Sequence, residues 1–215
     1  MSMLSLIFPK RCVLCRTHLP LSGDAMLCAV CQTEVRRVYR QRDDVRARGT
    51  DDAAAALRYT GAVRSALMRY KFQHYKSYAR WFAAQTAPVL AVRLEVWQPD
   101  ALTYVPTGWL SRRMRGYDQS GYVAQLLGAQ FGLPVMPLLR KRIFARKQSR
   151  LCESARAHNA ARAYLLRKNA CAKGKRLILV DDVLTSGATM AVCAQLLRGA
   201  GASAVFALAV TKTPR

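Results

Sequence analysis

One stretch of the chain, residues 177–189, constrains the fold more than any other. It opens with four branched aliphatic residues in a row, at 177–180, without polar alternation. Such a run is typical of a strand that is covered on both faces of a parallel sheet. Asp181 and Asp182 follow at once, at the carboxyl end of the predicted strand, where open α/β sheets bind ligands. The stretch therefore predicts an α/β fold with a polar site at this edge of the sheet.

Five small residues follow the acid pair closely: Thr185, Ser186, Gly187, Ala188 and Thr189. Small side chains allow backbone N–H groups to approach a ligand, and a helix that begins near Thr189 directs its positive dipole end at the same point. This arrangement favours an anion. A structural alternative has the two aspartates capping a helix and Ser186 and Gly187 forming an ordinary turn, but strand, acids, small loop and helix occur in the order that a phosphate site requires.

In this order the stretch resembles the phosphoribosyl diphosphate signature of type I phosphoribosyltransferases. The resemblance implies that Asp181 and Asp182 hold the ribose 2′ and 3′ hydroxyls near a Mg²⁺ ion and that residues 185–189 bind the 5′-phosphate. Asp181 stands where active nucleotide-forming members commonly carry Glu. Thr185 stands where purine-salvage members carry an Asp that acts near the base, and threonine is no general base at neutral pH. Purine salvage is therefore disfavoured.

Four cysteines near the amino end have the spacing of a metal site. Cys12, Cys15, Cys28 and Cys31 form two C-x₂-C pairs separated by twelve residues. Two such pairs supply the four thiolates that structural Zn²⁺ prefers, and a segment of about forty residues buries too little apolar surface to fold without such help. Disulfides and an iron–sulfur cluster are the alternatives. The sequence predicts a small zinc-binding module.

The charge of the chain indicates a polyanionic partner. Thirty-five Lys and Arg residues stand against 12 Asp and Glu residues, which gives a formal charge of +23. Phosphorylated substrates and nucleic acid both fit this charge. No run approaches the roughly eighteen apolar residues of a membrane span, and the short apolar stretch 1–8 lacks a positively charged start. We therefore expect no membrane span and a cytoplasmic protein.

Strand and helix patterns alternate along the rest of the chain. We predict strands at 53–59, 101–105, 135–139, 177–180 and 204–210. We predict helices from 61, over 78–89, over a third segment that Gly132 and Pro134 end, and over 190–198. Pro88 should kink or end the second helix, and Asp118 or Ser120 should cap the third. This alternation predicts a mainly parallel sheet flanked by helices. The expected domains are a four-cysteine zinc module at 1–35, a linker at 36–52 and a phosphoribosyltransferase-like domain at 53–215.

Two further basic stretches are candidates for phosphate contacts. Arg112, Arg113, Arg115 and Gly116 lie in a predicted loop between a strand end and a helix start, which suits pyrophosphate, because arginine pairs two phosphate oxygens at once. The alternative is a solvated basic loop with a capping Asp118. The second stretch, 140–156, is long and polar and predicts either a lid or binding loop or a disordered surface segment.

The order of motifs resembles the ComF-type competence protein family, which is also typified by the GntX-like proteins. The stretches that carry the resemblance, besides the cysteines and the phosphate loop, are Tyr70-Lys71-Phe72, Val105-Pro106, the six residues Arg115 to Ser120, and Gln148 with Arg156 and Asn159. The resemblance implies a zinc module joined to a phosphoribosyltransferase domain and a role linked to DNA uptake in natural transformation.

Two functional hypotheses follow. In the first, the chain is a Mg²⁺-dependent phosphoribosyltransferase in which Asp181 and Asp182 orient the ribose, Arg115 neutralises the departing pyrophosphate, and Arg113 and Gly116 help to bind phosphoribosyl diphosphate. In the second, the same scaffold is a non-catalytic module for single-stranded DNA or for transformation and recombination proteins. Stretch 69–76 interleaves aromatics and cations that could stack bases. Its alternative is a core role for Tyr70 and Phe72 beneath a basic face.

Overall fold

The structure, a computed structural model, describes residues 10–20, 23–41, 44–73, 75–142 and 163–214. Within this part of the chain, a parallel sheet has the strand order β1-β6-β5-β2. Its strands are β1 Asp52–Arg58, β2 Ala101–Tyr104, β5 Arg176–Leu184 and β6 Ala204–Lys212, and β3 Leu139–Lys141 pairs antiparallel with β4 Tyr164–Leu166. The helices are α1 Ala29–Glu34, α2 Gly61–Phe72, α3 Tyr78–Trp97, α4 Trp109–Arg115, α5 Gln119–Phe131 and α6 Ala188–Gly199. The predicted parallel sheet flanked by helices is confirmed.

Both faces of the sheet are covered, as the apolar run in β5 predicts. Successive side chains of a strand point to opposite faces. Ile178 and Val180 belong to the apolar core that contains α2, α3 and α5, whereas Leu177 and Leu179 belong to the core that contains α6. All of these side chains are fully buried. The sheet therefore forms the middle layer between the helices.

The chain leaves neighbouring strands β2 and β5 in opposite directions. After β2 it passes through α5 to Val135, which bridges Leu102 on the outer side of β2. After β5 it passes through α6 to β6, on the other side. Such a reversal opens a crevice between the carboxyl ends of the two strands. β2 ends level with Val180, so β5 runs past it into the crevice.

Three local predictions need correction. First, α3 does not end at Pro88, one of the two predicted effects of this proline, but continues for 20 residues in all. The half of the helix beyond the proline is held by the complete burial of Leu90 and Trp97, and the indole Nε1 of Trp97 donates to Asp52 at 2.8 Å. Packing on the sheet thus outweighs the one helical hydrogen bond that proline removes.

Second, helix α4 forms where an arginine-rich loop was expected, and it ends at Gly116 with a positive φ of 77°. Third, the expected strand at 135–139 is reduced to a bridge at Val135, and a short strand begins at Leu139. Pro134 and Pro137 lack the N–H groups that a longer ladder would need. Most of the stretch 140–156, with Gln148, Arg156 and Asn159, lies outside the described residues.

The four-cysteine segment packs against the sheet's helices. Its buried side chains, Val13 and Leu14 among them, belong to the same apolar core as α2 and α3. The guanidinium of Arg69 in α2 donates to the carbonyl oxygens of Val13 and Leu14 at 2.7 and 2.8 Å. A π-helical turn, Val35–Tyr39, continues α1 past residue 35, the predicted end of the zinc module. That domain boundary stays a prediction. No described helix is long and apolar enough to cross a membrane.

Candidate active site

The acid pair lies inside the carboxyl half of β5, at the crevice. Because strand residues alternate, Asp181 lies on the α6 side of the sheet and Asp182 on the α2 side. Oδ1 of Asp181 accepts hydrogen bonds from the Ser120 hydroxyl at 3.2 Å and from the Asp182 backbone N–H at 2.8 Å. Oδ1 of Asp182 accepts one from Nζ of Lys71 at 2.7 Å. Three distant segments, α2, α5 and β5, therefore meet at the two carboxylates.

The two carboxylates lie in different electrostatic surroundings. Burial, and then the negative charge of Asp182, raise the pKa of Asp181 to about 8. Asp182 has an ammonium partner instead, and although burial acts against it, the attraction of Asp182 raises the pKa of Lys71. Two adjacent acids in a poorly solvated place cannot both carry a charge without such compensation. The free site thus combines a carboxylate–ammonium pair with a carboxyl group that retains its proton near neutral pH.

Hydrogen bonds fix the start of α5 beside the acid pair. Asp118 caps the helix by accepting from the Gly121 N–H at 3.1 Å, as the sequence predicts, and it also accepts from the backbone N–H and the hydroxyl of Thr107 at 2.7 and 2.9 Å. The loop after β2 and the first turn of α5 are thereby held together. Ser120, the other predicted cap, is left to face Asp181.

Hydrogen bonds from two tyrosines hold the end of α2 against the start of α5. The hydroxyl of Tyr70 donates to the Gln119 carbonyl at 3.0 Å, and the hydroxyl of Tyr117 donates to the Tyr70 carbonyl at 2.6 Å. Tyr70 is only 1% exposed, so it is a core residue and does not stack on bases, which corrects part of the DNA hypothesis for stretch 69–76. Its burial instead places Lys71, the next residue, beside Asp182.

The two predicted phosphate-contacting arginines are placed differently. The guanidinium of Arg115 lies 4.7 Å from the centre of the Phe72 ring. Burial lowers the pKa of Arg115, whereas the negative charge of Asp182 acts to raise it. Arg113 lies on the exposed side of α4, 5.5 Å from the centre of the Trp109 ring. Gly116 ends α4 in the left-handed region. The structure thus brings Arg115, but not Arg113, toward the acid pair.

The small-residue loop connects β5 to α6. Thr185 and Ser186 are exposed, Gly187 precedes the helix with φ of 82°, and Ala188 and Thr189 form its first turn. A side chain at Gly187 would be strained by this φ and would lie 3.6 Å from the backbone nitrogen of Arg48. The positive φ therefore favours glycine in this turn, while the distance to Arg48 is an ordinary van der Waals contact.

The sequence model of the phosphoribosyl transferase domain family matches residues 82–214, which include both crevice strands. The chain belongs to this family. A comparison with curated proteins gave no match.

Solved structures of this fold class are more distant. A purine phosphoribosyltransferase from Pyrococcus horikoshii Ot3 is 18% identical, with 62% of this chain and 84% of that chain covered and a TM-score of 0.36. An adenine phosphoribosyltransferase from Thermoanaerobacter pseudethanolicus is 18% identical, with 59% of this chain and 77% of that chain covered and a TM-score of 0.37. The glutamine phosphoribosylpyrophosphate amidotransferase from B. subtilis is 23% identical, with 52% of this chain and 22% of that chain covered and a TM-score of 0.38. The chain thus spans about a fifth of that protein.

Two residues at the crevice of the phosphoribosyl transferase domain had no assigned role in the sequence. Lys71 was grouped with a candidate DNA-binding stretch, although it contacts Asp182. Tyr164 of β4 is buried on the α6 side, where burial and then the charge of Asp181 raise its pKa. The contact of Lys71 with Asp182 joins segments far apart in the chain, so the stretch Tyr70-Lys71-Phe72 does not by itself indicate it.

The four cysteines meet beside the phosphoribosyl transferase domain. Their sulfur atoms all lie within 4.8 Å of one another, Cys12 and Cys31 are buried, and the sulfurs of Cys15 and Cys28 are 3.7 Å apart. A tetrahedral Zn²⁺ with bonds of about 2.3 Å would need sulfurs about 3.8 Å apart. Hydrogen bonding to Thr17 lowers the pKa of Cys15 to about 6, whereas burial raises that of Cys31. Four thiolates here thus need a compensating cation, and the cluster could bind a metal.

Proposed function

We propose that the crevice between β2 and β5 binds phosphoribosyl diphosphate together with Mg²⁺ and serves phosphoribosyl transfer. The observation that carries this proposal is the placement of Asp181 and Asp182. They lie past the end of β2, at the point where the strand order reverses, and a glycine-led turn into α6 follows them. In an open α/β sheet this is where a ligand binds, and an anion fits the helix start.

Each end of the ligand has suitable groups within the crevice. Asp181 and Asp182 bind the ribose hydroxyls, residues Thr185, Ser186, Gly187, Ala188 and Thr189 bind the 5′-phosphate, and Arg115 binds the pyrophosphate. Gly116 borders the pyrophosphate end, and a contact from Arg113, which lies on the exposed side of α4, stays a prediction. The two aspartates offer carboxylate oxygens, the ligand type that Mg²⁺ takes, and a bound Mg²⁺ supplies charge neutralisation for the departing pyrophosphate.

The proposal extends to the cysteine cluster and to the narrower family. Cys12, Cys15, Cys28 and Cys31 hold a structural Zn²⁺, in accordance with their mutual distances. Combined with the Arg115 to Ser120 stretch, this supports a ComF-type protein linked to DNA uptake. The domain boundaries near residues 35 and 52 and a cytoplasmic location stay predictions.

A second candidate function is binding of single-stranded DNA without catalysis, or of transformation and recombination proteins. Helix α4 favours the first of these. Trp109, Leu110 and Met114 are 52%, 63% and 71% exposed on it, beside Arg112 and Arg113. An exposed indole among cations suits stacking on bases and pairing with a phosphate backbone.

The Asp181→Asn, Asp182→Asn double variant tests the proposal. Binding of phosphoribosyl diphosphate with Mg²⁺, measured by calorimetry, should weaken by more than about a hundredfold, because each carboxylate contact to the ligand is charge-assisted. The matched control is Asp51→Asn with Asp52→Asn, an adjacent acid pair toward the amino end of β1 that is engaged with Arg198 and Arg93. This control should lose stability but keep its ligand affinity.

The same variants separate the two candidate functions. If α4 binds single-stranded DNA, that binding should survive in the Asp181→Asn, Asp182→Asn protein. Unchanged affinity for phosphoribosyl diphosphate in a folded double variant would contradict the assignment of the crevice.

A further inference from the structure

Lys71 forms the most enclosed ion pair among the described residues. Its Nζ lies 2.7 Å from Oδ1 of Asp182, and the side chains of Lys71 and Asp182 are 20% and 12% exposed. The remaining ion pairs of the described part are at least 37% exposed on both side chains. An ion pair on the inner wall of a ligand crevice calls for an explanation, because isolated charges at such a place are costly.

The neighbours of Lys71 hold its backbone in place beside the acid pair. Tyr70, the residue before it, is hydrogen-bonded to Gln119 at the start of α5 and to Tyr117 just before that helix. Phe72, the residue after it, lies against the guanidinium of Arg115. The position of Lys71 in the last turn of α2 is therefore fixed. A lysine side chain has a four-carbon stem and three donors, so it can change partners from a fixed backbone.

Ligand binding changes the electrostatics around this lysine. A ribose with Mg²⁺ at the acid pair adds a double positive charge close to the oxygens that Lys71 now occupies, so the ammonium and the metal compete for them. The ribose ring carries its 5′-phosphate and its 1-diphosphate at opposite ends. With the 5′-phosphate at residues 185–189, the diphosphate points away from that loop, toward the segments that hold Arg115 and Lys71.

We propose that Lys71 exchanges partners, from Asp182 in the free protein to the diphosphate of bound phosphoribosyl diphosphate. This inference rests on the proposed function and adds to it a ligand-binding residue and a coupling between metal and ligand. In the free protein, Lys71 competes with a metal ion for Asp182. In the complex, it holds the diphosphate beside Arg115. Metal alone therefore binds weakly, and metal with a diphosphate binds tightly.

The experiment compares the Lys71→Met variant with wild type in its affinity for two ligands and for one metal ion. Calorimetry with phosphoribosyl diphosphate and Mg²⁺ should show a loss of about ten- to hundredfold in affinity, the effect of one charge-assisted contact. Ribose 5-phosphate, which lacks the diphosphate, should bind within about twofold of wild type. Mn²⁺ alone, followed by electron paramagnetic resonance, should bind about tenfold more tightly, because its competitor is gone.

Matched variants control for charge and folding. Lys76→Met removes an exposed lysine a few residues further on, which lies 4.6 Å from the centre of the Tyr122 ring, and it should leave both ligand affinities unchanged. Lys71→Arg keeps the charge and should retain most of the diphosphate affinity. Lys71→Gln keeps a donor to Asp182 without the charge, and it supplies the same comparison if the methionine variant does not fold.

The outcomes are distinct. Equal losses for phosphoribosyl diphosphate and ribose 5-phosphate, or no loss for either, would overturn the partner exchange while the crevice assignment stands. Weaker rather than tighter Mn²⁺ binding would also overturn it, since a purely structural ion pair would give that result. If wild type binds neither ligand, the proposed function fails and this inference with it.

Discussion

The cysteine cluster and the crevice at the acid pair are built in opposite ways. The cluster draws its four sulfur atoms from residues 12–31, a single short stretch of chain. The crevice joins Lys71 to Asp182 across 111 positions of sequence and Ser120 to Asp181 across 61. The first arrangement brings nearby residues together, and we expect a bound cation to stabilise it. The second depends on the sheet, which brings distant segments to one edge.

Helix α2 connects these two regions. Near its end, Arg69 donates to backbone carbonyls of the cysteine segment, and Lys71 two residues later contacts Asp182. The two regions also share one apolar core. We therefore expect damage to the cysteine cluster to reach the crevice, whereas neutral changes in the crevice should leave the cluster intact.

Removing the metal should give the largest effect. A structural Zn²⁺ contributes roughly 10–16 kcal/mol to the folding of small zinc domains. We expect a chelator to release about one Zn²⁺ per chain, to unfold the cysteine segment and to lower the affinity for phosphoribosyl diphosphate through α2. The measurements are metal analysis, circular dichroism and calorimetry. Cys31→Ser should reproduce the effect, and Cys171→Ser, at an exposed thiol, should not. Zinc-free protein with a folded cysteine segment would refute this.

Asp118→Ala should have an intermediate effect, confined to the crevice. The carboxylate of Asp118 accepts bonds from two backbone N–H groups and the Thr107 hydroxyl. Losing them should lower the free energy of unfolding by about 1–3 kcal/mol. Urea denaturation measures the change. Asp118→Asn is the matched variant, since asparagine is also a good helix cap, and it should cost less. Equal stability of the alanine variant and wild type would show that this cap does not hold the crevice together.

A further effect concerns the pH dependence of stability. Burial and then Asp182 raise the pKa of Asp181 from 3.8 to about 8. Between these values the folded protein keeps a proton that the unfolded chain releases, so the free energy of unfolding falls as pH rises through this window. Each unit corresponds to at most about 1.4 kcal/mol, less where water reaches the group. Asp181→Asn should therefore show a smaller fall between pH 5 and pH 8 in urea denaturation, by roughly 1 kcal/mol or more.

Glu95→Gln, on the exposed side of α3, is the control for this measurement and should follow wild type. If Asp181→Asn showed the same pH dependence as wild type, Asp181 would not be the group that retains the proton.

The sequence predicts much of this fold because its signals are local. The apolar run at 177–180 indicates a doubly covered strand, and Asp118 and Gly132 mark the ends of α5, all as the structure has them. Pro88 misleads because tertiary burial of Trp97 and Leu90 decides the length of α3. Helix α4 was missed because an arginine-rich segment with exposed apolar residues has no clear helical periodicity.

The sequence predicts those parts of the candidate site whose residues are close together in the chain. Asp181, Asp182 and the residues 185–189 are contiguous, so their order alone indicates a phosphate site, and the cysteine spacing indicates a metal cluster. The contact of Lys71 with Asp182 is different, because nothing within α2 points to a residue 111 positions away. Tyr70 illustrates the same limit: its aromatic ring suggests base stacking in the sequence, and its burial shows a core role.

The most direct test of the central claim is a calorimetric titration of the wild-type chain with phosphoribosyl diphosphate, with and without Mg²⁺. We predict saturable binding at one site per chain when Mg²⁺ is present, and affinity lower by at least about tenfold when it is absent, because no divalent cation then neutralises the diphosphate of the ligand. Absence of saturable binding under both conditions would contradict the assignment of the crevice as a phosphoribosyl diphosphate site.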